Sequence, residues 1–168
     1  MDEGYFSHIS LLSAAVIRTT GPVLELGAGL GSTLMLHGMC GAMGRELVTL
    51  ESDEEWLGKF IGLRRSWHTI RRVESFLELE EYSRNWGLVF IDHGIAEQRG
   101  HSLRVLKDAP MIVCHDTCHP FLYNYEPLLS SFPFRWNYKP HGLGGSNPMT
   151  TVVSSFINLG PIFAEMQL

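Results

Sequence analysis

Apolar residues fall along this chain in two rhythms. From Phe6 to Arg18, Ile9, Leu12 and Val16, flanked by Leu11 and Ala15, recur at helical spacing, which predicts one amphipathic helix ended by Gly21-Pro22. Short apolar runs then alternate with longer mixed segments. Val23 to Leu26, Leu47 to Leu50, Thr69 to Val73, Gly87 to Ile91 and Met111 to Cys114 read as strands, and the run before Asp92 has the unbroken apolar character of a buried parallel strand. Between them, Ser32 to Met43 and Ala96 to Leu106 read as helices, with Gly41 and Gly44 at the exit of the first. Ser52 is placed to cap an acidic helix start at Asp53-Glu54-Glu55, Glu78 to Arg84 reads as a polar helix, and Pro120 opens a helix through Leu129. Phe134, Trp136 and Tyr138 alternate with Arg135, Asn137 and Lys139, the period of a strand, and Thr151 to Phe156 is a last strand. The tail from Asn158 carries no pattern.

Strands alternating with helices imply an α/β fold, a single doubly wound, Rossmann-like sheet that is mostly parallel. In such a sheet ligands bind beyond the carboxyl ends of the strands. Each predicted strand end carries something chemically useful: Gly27 after the first, Glu51 after the second, Asp92 after the fourth, Asp116 after the fifth. The first of these opens Gly27-Ala28-Gly29-Leu30-Gly31, three glycines two residues apart ahead of a helix. Such a turn lets a ligand approach backbone and meet the unpaired N–H groups of a helix start. The spacing is GxGxG rather than the GxGxxG of dinucleotide enzymes.

Composition narrows the partners. The 168 residues suit one domain, 1–168, with residues 1–20 as an N-terminal helical segment. A formal charge of −5 argues against a nucleic-acid surface, and the cluster Arg64, Arg65, Arg71 and Arg72 is explained by a solvated face and a strand end. Three cysteines, an odd number, fit a reducing compartment, and no run is long enough to span a bilayer. A cytoplasmic protein without membrane or nucleic-acid partners is the expectation. Cys114, His115, Cys118 and His119 are poorly spaced for zinc, and Cys114 and Cys40 read as buried thiols.

From about residue 20 to 157, the glycine turn preceded by Glu25 and the acidic strand ends resemble class I S-adenosylmethionine (SAM) methyltransferases. Val89-Phe90-Ile91-Asp92-His93 and Val113-Cys114-His115-Asp116-Thr117 are similar to the metal-dependent, catechol O-methyltransferase-like branch. The resemblance implies seven strands in the order 3-2-1-4-5-7-6, the last antiparallel. It implies that Glu25, Gly27, Gly29, Gly31 and Ser32 line the methionine and ribose of SAM, that Glu51 accepts hydrogen bonds from the ribose hydroxyls, and that Ser75 and Phe76 stand near the adenine. Phe76 reads equally well as core. Asp92 and His93 complete the cofactor side. By the same resemblance Asp92, Asp116 and Thr117 would bind magnesium. Thr117 departs from the family's Asn, and Ile95 stands where the branch has a catalytic Lys.

Without that lysine, the candidate catalytic residues are Asp92, His93, His115 and Asp116. A metal on the two aspartates would acidify a substrate hydroxyl, and without metal His93, His115 or His119 would take the proton. The loop 140–148, with His141, Gly142, Gly144 and Gly145, is placed to wall the acceptor pocket, with Lys139 beside it. Phe121, Tyr123 and Tyr125 could pack on an aromatic ring. The chain lacks a separate lid, so the pocket is open or completed by a second copy in a homo-oligomer. These features predict O-methyl transfer to a small-molecule or saccharide hydroxyl. The competing readings are a non-catalytic SAM-binding protein and an NAD-dependent oxidoreductase.

Overall fold

The computed structural model describes residues 6–139 and 149–164. Seven strands form one sheet: β1 (Val23–Leu26), β2 (Leu47–Glu51), β3 (His68–Arg72), β4 (Leu88–Ile91), β5 (Ile112–Cys114), β6 (Phe134–Tyr138) and β7 (Thr150–Ser154). Their order is β3-β2-β1-β4-β5-β7-β6, as the resemblance implied. Neighbours from β3 to β5 pair in parallel, and β7 runs antiparallel between β5 and β6. The four central parallel strands, and β7, are buried on both faces, which is why the parallel four read as largely apolar runs rather than alternations.

Helices cover both faces. On one, α1 (Ile9–Arg18), α2 (Ser32–Met43) and α6 (Gly160–Phe163) pack Leu11, Leu12, Leu36, Cys40 and Phe163 against Val23, Leu47, Phe90 and Val113. The tail therefore does carry a signal, because Phe163 is fully buried. The other face sets α4 (Arg99–Val105) and α5 (Leu128–Ser131), with Phe76, Trp86 and Tyr125, on Leu24, Val89, Ile91 and Ile112. The short α3 (Glu54–Gly58) starts at Asp53, whose Oδ1 accepts from Trp56 N–H at 2.8 Å. Ser52, the expected cap, instead gives its N–H to Glu51.

Three expected helices are shorter than their sequences suggest. The segment from Ala96 breaks into a single 3₁₀ turn, Ala96–Gln98, before α4 begins at Arg99. Glu78 to Arg84 reduces to one 3₁₀ turn, Glu80–Ser83, held by the Arg71–Glu81 ion pair at 2.6 Å. The segment from Pro120 stays as turns until α5. Asn124 there adopts a left-handed φ of 53°, and its carbonyl lies 2.0 Å from where a Cβ on Gly100 would stand. The 120s chain is pressed onto α4 at this glycine, whose N–H donates to Tyr123 O at 2.9 Å.

Candidate active site

The carboxyl edge of the sheet gathers the expected residues. Gly27 follows β1 with φ 99°, and a Cβ there would meet Asp92 O and His93 N and Cα at 2.5 Å. Only glycine permits this contact between the first turn and the β4 exit. Gly29 stands against Ser32, with a would-be Cβ 2.7 Å from its Oγ. The space beside Gly31 is filled by Phe6 and Ile9, at 2.8 and 3.0 Å.

Two acids support this turn from adjacent strands. Glu51 is nearly buried, and its Oε2 accepts from Ala28 N–H at 2.8 Å while Oε1 accepts from Ser52 and Asp53 N–H at 2.7 and 2.9 Å. Trp56 Nε1 closes the same corner on Ala28 O at 2.7 Å. A carboxylate offers about four acceptor positions, so the Oε2 atom, holding a single donor, keeps capacity for a hydroxyl. The cradle of small residues and this acid fit a ribose-bearing cofactor.

Glu25 is wholly buried. Its Oε2 accepts from Thr33 Oγ1 at 2.9 Å, which in turn accepts from Gly29 N–H at 2.8 Å, so Glu25 braces the turn through a hydroxyl. Burial pushes its carboxyl up to about 7, against the opposing pull of hydroxyls from Ser32, Thr49 and Thr33. A chain of polar groups leads outward from it. Thr49 Oγ1 donates to Glu25 Oε2 at 2.7 Å and lies 3.0 Å from His68 Nε2, and His68 Nδ1 lies 2.9 Å from His37 Nδ1. While Glu25 is ionised, the Thr49 proton is committed to it. His68 must then donate through Nε2 and accept from His37 through Nδ1.

At the next strand ends, Asp92 and Asp116 face a common set of cations. Arg99 gives Nη2 to Asp92 Oδ1 at 3.0 Å and Nη1 to Asp116 Oδ2 at 3.2 Å, and its Nε donates to His93 O at 2.7 Å. His115 Nδ1 lies 3.1 Å from Asp92 Oδ1 and 3.4 Å from Asp116 Oδ1, and its Nε2 lies 3.1 Å from Ser7 Oγ. Burial alone would raise both carboxyls, yet His115 and Arg99 outweigh it and hold Asp92 below the usual range and Asp116 at about 2. The same logic reverses for His115: burial opposes its charge, and the two aspartates override it and push it up to about 10. Asp116 holds a left-handed φ of 58°. Tyr123 lies under the guanidinium, 4.2 Å from its carbon to the ring centroid.

The other candidates lie differently. His93 is fully buried, stacked on Phe76 at 3.8 Å, with Nε2 3.3 Å from Ser102 Oγ; burial, helped by Arg99, pulls it down to about 3. Phe76 is thus a core residue, and its N–H and the Ser75 hydroxyl both donate to Gln98 Oε1, at 2.7 and 3.2 Å. Ser75 also borders a groove of about 640 Å³ beyond β3. Thr117 turns its hydroxyl to Met149 O and Thr151 Oγ1, at 3.0 and 2.7 Å. The structure therefore joins Asp92 to Asp116 but leaves Thr117 aside and lays a guanidinium across both carboxylates. Magnesium requires near-octahedral oxygen ligands, and this set does not fit it.

Cys114 is buried, its thiol pushed up to about 12 by that burial, whereas Cys118 and His119 are exposed. Phe121 is 82% exposed, Tyr125 fully buried, and Lys139 exposed at the end of β6. The expected pocket wall at 140–148, with His141 and its glycines, lies outside the described residues.

Sequence reasoning missed Arg99, Gln98, Ser7 and His8. The last two precede α1 and are only 3% exposed, with the His8 ring 4.7 Å from that of His115 and 5.0 Å from that of Phe90. A topological signal was available. A helix that feeds β1 through a short connection runs against it, so the start of α1 must lie at the carboxyl edge.

No family model and no curated protein matches the chain by sequence. Solved structures match its fold. An O-methyltransferase from Bacillus cereus in complex with SAH is 16% identical with a TM-score of 0.62, over 86% of this chain and 77% of that one. A candidate caffeoyl-CoA O-methyltransferase from Staphylococcus aureus is 13% identical with a TM-score of 0.60, over 87% and 82%. The METTL16 methyltransferase domain is 12% identical with a TM-score of 0.62, over 89% and 67%. At these identities the likeness is one of architecture: the chain has the Rossmann-like fold of class I SAM-dependent methyltransferases.

Proposed function

We propose that this protein is a SAM-dependent methyltransferase acting on a hydroxyl of a small molecule or saccharide. The observation that carries the reading is the backbone contact at Gly27, which sets a turn braced by Glu51 directly against an ionised Asp92–His115–Asp116 cluster. When bound, SAM supplies an electrophilic methyl group on a sulfonium. Glu51 accepts from the ribose, and the turn offers backbone to the rest of the cofactor. Asp92 and Asp116 rest ionised and accept hydrogen bonds from an acceptor hydroxyl, whose proton passes to one of these carboxylates as the oxygen–methyl bond forms and the sulfonium–methyl bond breaks. His115 and Arg99 keep those carboxylates fixed. The two aspartates are weak bases, so alignment of the hydroxyl with the methyl group supplies most of the acceleration. Exposed Phe121 follows Asp116 by five residues and offers an apolar face to the acceptor.

Calorimetry with SAM, its demethylated product and NAD tests this reading. SAM and the product should bind at micromolar strength or better and NAD should not, and Glu51→Ala should weaken binding roughly tenfold or more, the loss of one charged hydrogen bond. Binding of NAD, or an unchanged affinity in Glu51→Ala, would overturn it. Methyl incorporation into extract fractions separates an enzyme from a non-catalytic SAM-binding protein.

A further inference from the structure

Among the described residues, one histidine at the carboxyl edge has no explained role. His8 is 3% exposed, and neither ring nitrogen has a hydrogen-bond partner among the described residues. Buried polar atoms are nearly always satisfied, and two on one ring call for a ligand or an ion. The ring faces His115, which also stands against Asp92, and one ligand atom from each of the three side chains lies within 4.8 Å of the other two. We infer that His8, Asp92 and His115 form a binding site for a divalent transition metal of the zinc type.

The donor chemistry sets the class of ion. Two imidazoles and one carboxylate suit zinc, cobalt or nickel and are a poor set for magnesium, which prefers oxygen. The charges are compatible. Two carboxylates face one guanidinium and His115, so the ion must displace the proton that the aspartates hold on His115; with both imidazoles then neutral, as ligation requires, the cluster retains a negative charge for the ion to meet. Three protein ligands leave a position open to an exogenous oxygen, the arrangement of a catalytic rather than a structural site. His8 reaches the cluster from the start of α1, so metal binding would also tie the N-terminal segment to the sheet. The site does not require the methyltransferase reading and goes beyond it.

The test uses the full chain stripped of metal with a chelator and titrated calorimetrically with zinc and, separately, magnesium. Zinc should bind near one equivalent at micromolar strength or better, with no heat from millimolar magnesium. His8→Ala and Asp92→Asn should each weaken zinc binding roughly tenfold or more, whereas His119→Ala should not. X-ray absorption of the zinc-loaded protein should show imidazole and oxygen neighbours without sulfur, a readout that stands even if a variant fails to fold. Absence of zinc binding, sulfur in the coordination sphere, or full affinity in a folded His8→Ala protein would overturn the site. Loss of SAM binding in Glu51→Ala concerns the other reading and leaves this one unaffected.

Discussion

Arg45 and Arg99 are both buried, at opposite edges of the same sheet, and their surroundings move them in opposite directions. Arg45 donates only to neutral groups: Gly21 O at 2.6 Å, Val16 O at 2.8 Å, and the carbonyl and hydroxyl of Thr19 at 3.2 and 3.3 Å. Burial lowers its pKa against a smaller opposing influence from Cys40. Arg99 suffers the same burial penalty, but Asp92 and Asp116 outweigh it and its pKa rises. The comparison separates an arginine that fastens α1 to β1 from one that is itself held charged by two carboxylates. At the amino edge, the Arg45 guanidinium finds its partners within the chain. The carboxyl edge concentrates ionised groups and an unpartnered histidine.

The largest effect should come from breaking the charged edge. Arg99→Met leaves two carboxylates short of a cation, and a loss of about 3–5 kcal/mol is expected in urea unfolding, together with loss of transfer activity. Glu25→Gln should come next, with a signature in pH. The folded-state pKa of Glu25 is raised, so its contribution is fully present below the unfolded value near 4.5 and is lost as pH rises through about 7. At pH 8 the wild type should lack stability on the order of 3 kcal/mol that Glu25→Gln retains, and the gap should close below pH 4.5. Unfolding titrations of both proteins across that window check the sign.

Arg45→Met should cost about 2 kcal/mol, because it strands carbonyls at the amino edge, and should leave SAM affinity unchanged. An altered affinity would mean that the two edges are coupled. The smallest effect is expected beside Glu51. Asp53→Ala removes the α3 cap at about 1 kcal/mol in thermal unfolding while Glu51 keeps its backbone donors and the protein keeps its cofactor affinity.

The strands were readable because buried parallel strands write themselves as apolar runs that break at a glycine or a polar residue, as at Leu26-Gly27, Leu50-Glu51 and Ile91-Asp92, whereas their order came from the resemblance to the methyltransferases. Glu51, Asp92 and Asp116 were readable for the same reason, since the edge of an α/β sheet is encoded locally. Arg99 was not, because it sits inside what reads as one continuous helix, and its role depends on a break just before it, beside which Gly100 N–H donates to Tyr123 O from far along the chain. His93 reads as a strand-end base, but the ring of Phe76, seventeen positions earlier, covers it. His8 lies more than eighty residues before Asp92, and no local pattern encodes that meeting.

Where residue 27 has only hydrogen in place of a side chain, main chain rests on main chain. Nothing compressible lies between the loop proposed to seat the sugar and the loop that carries Asp92. Any side chain placed there would prise the two loops apart, so their spacing rests on the absence of a single carbon.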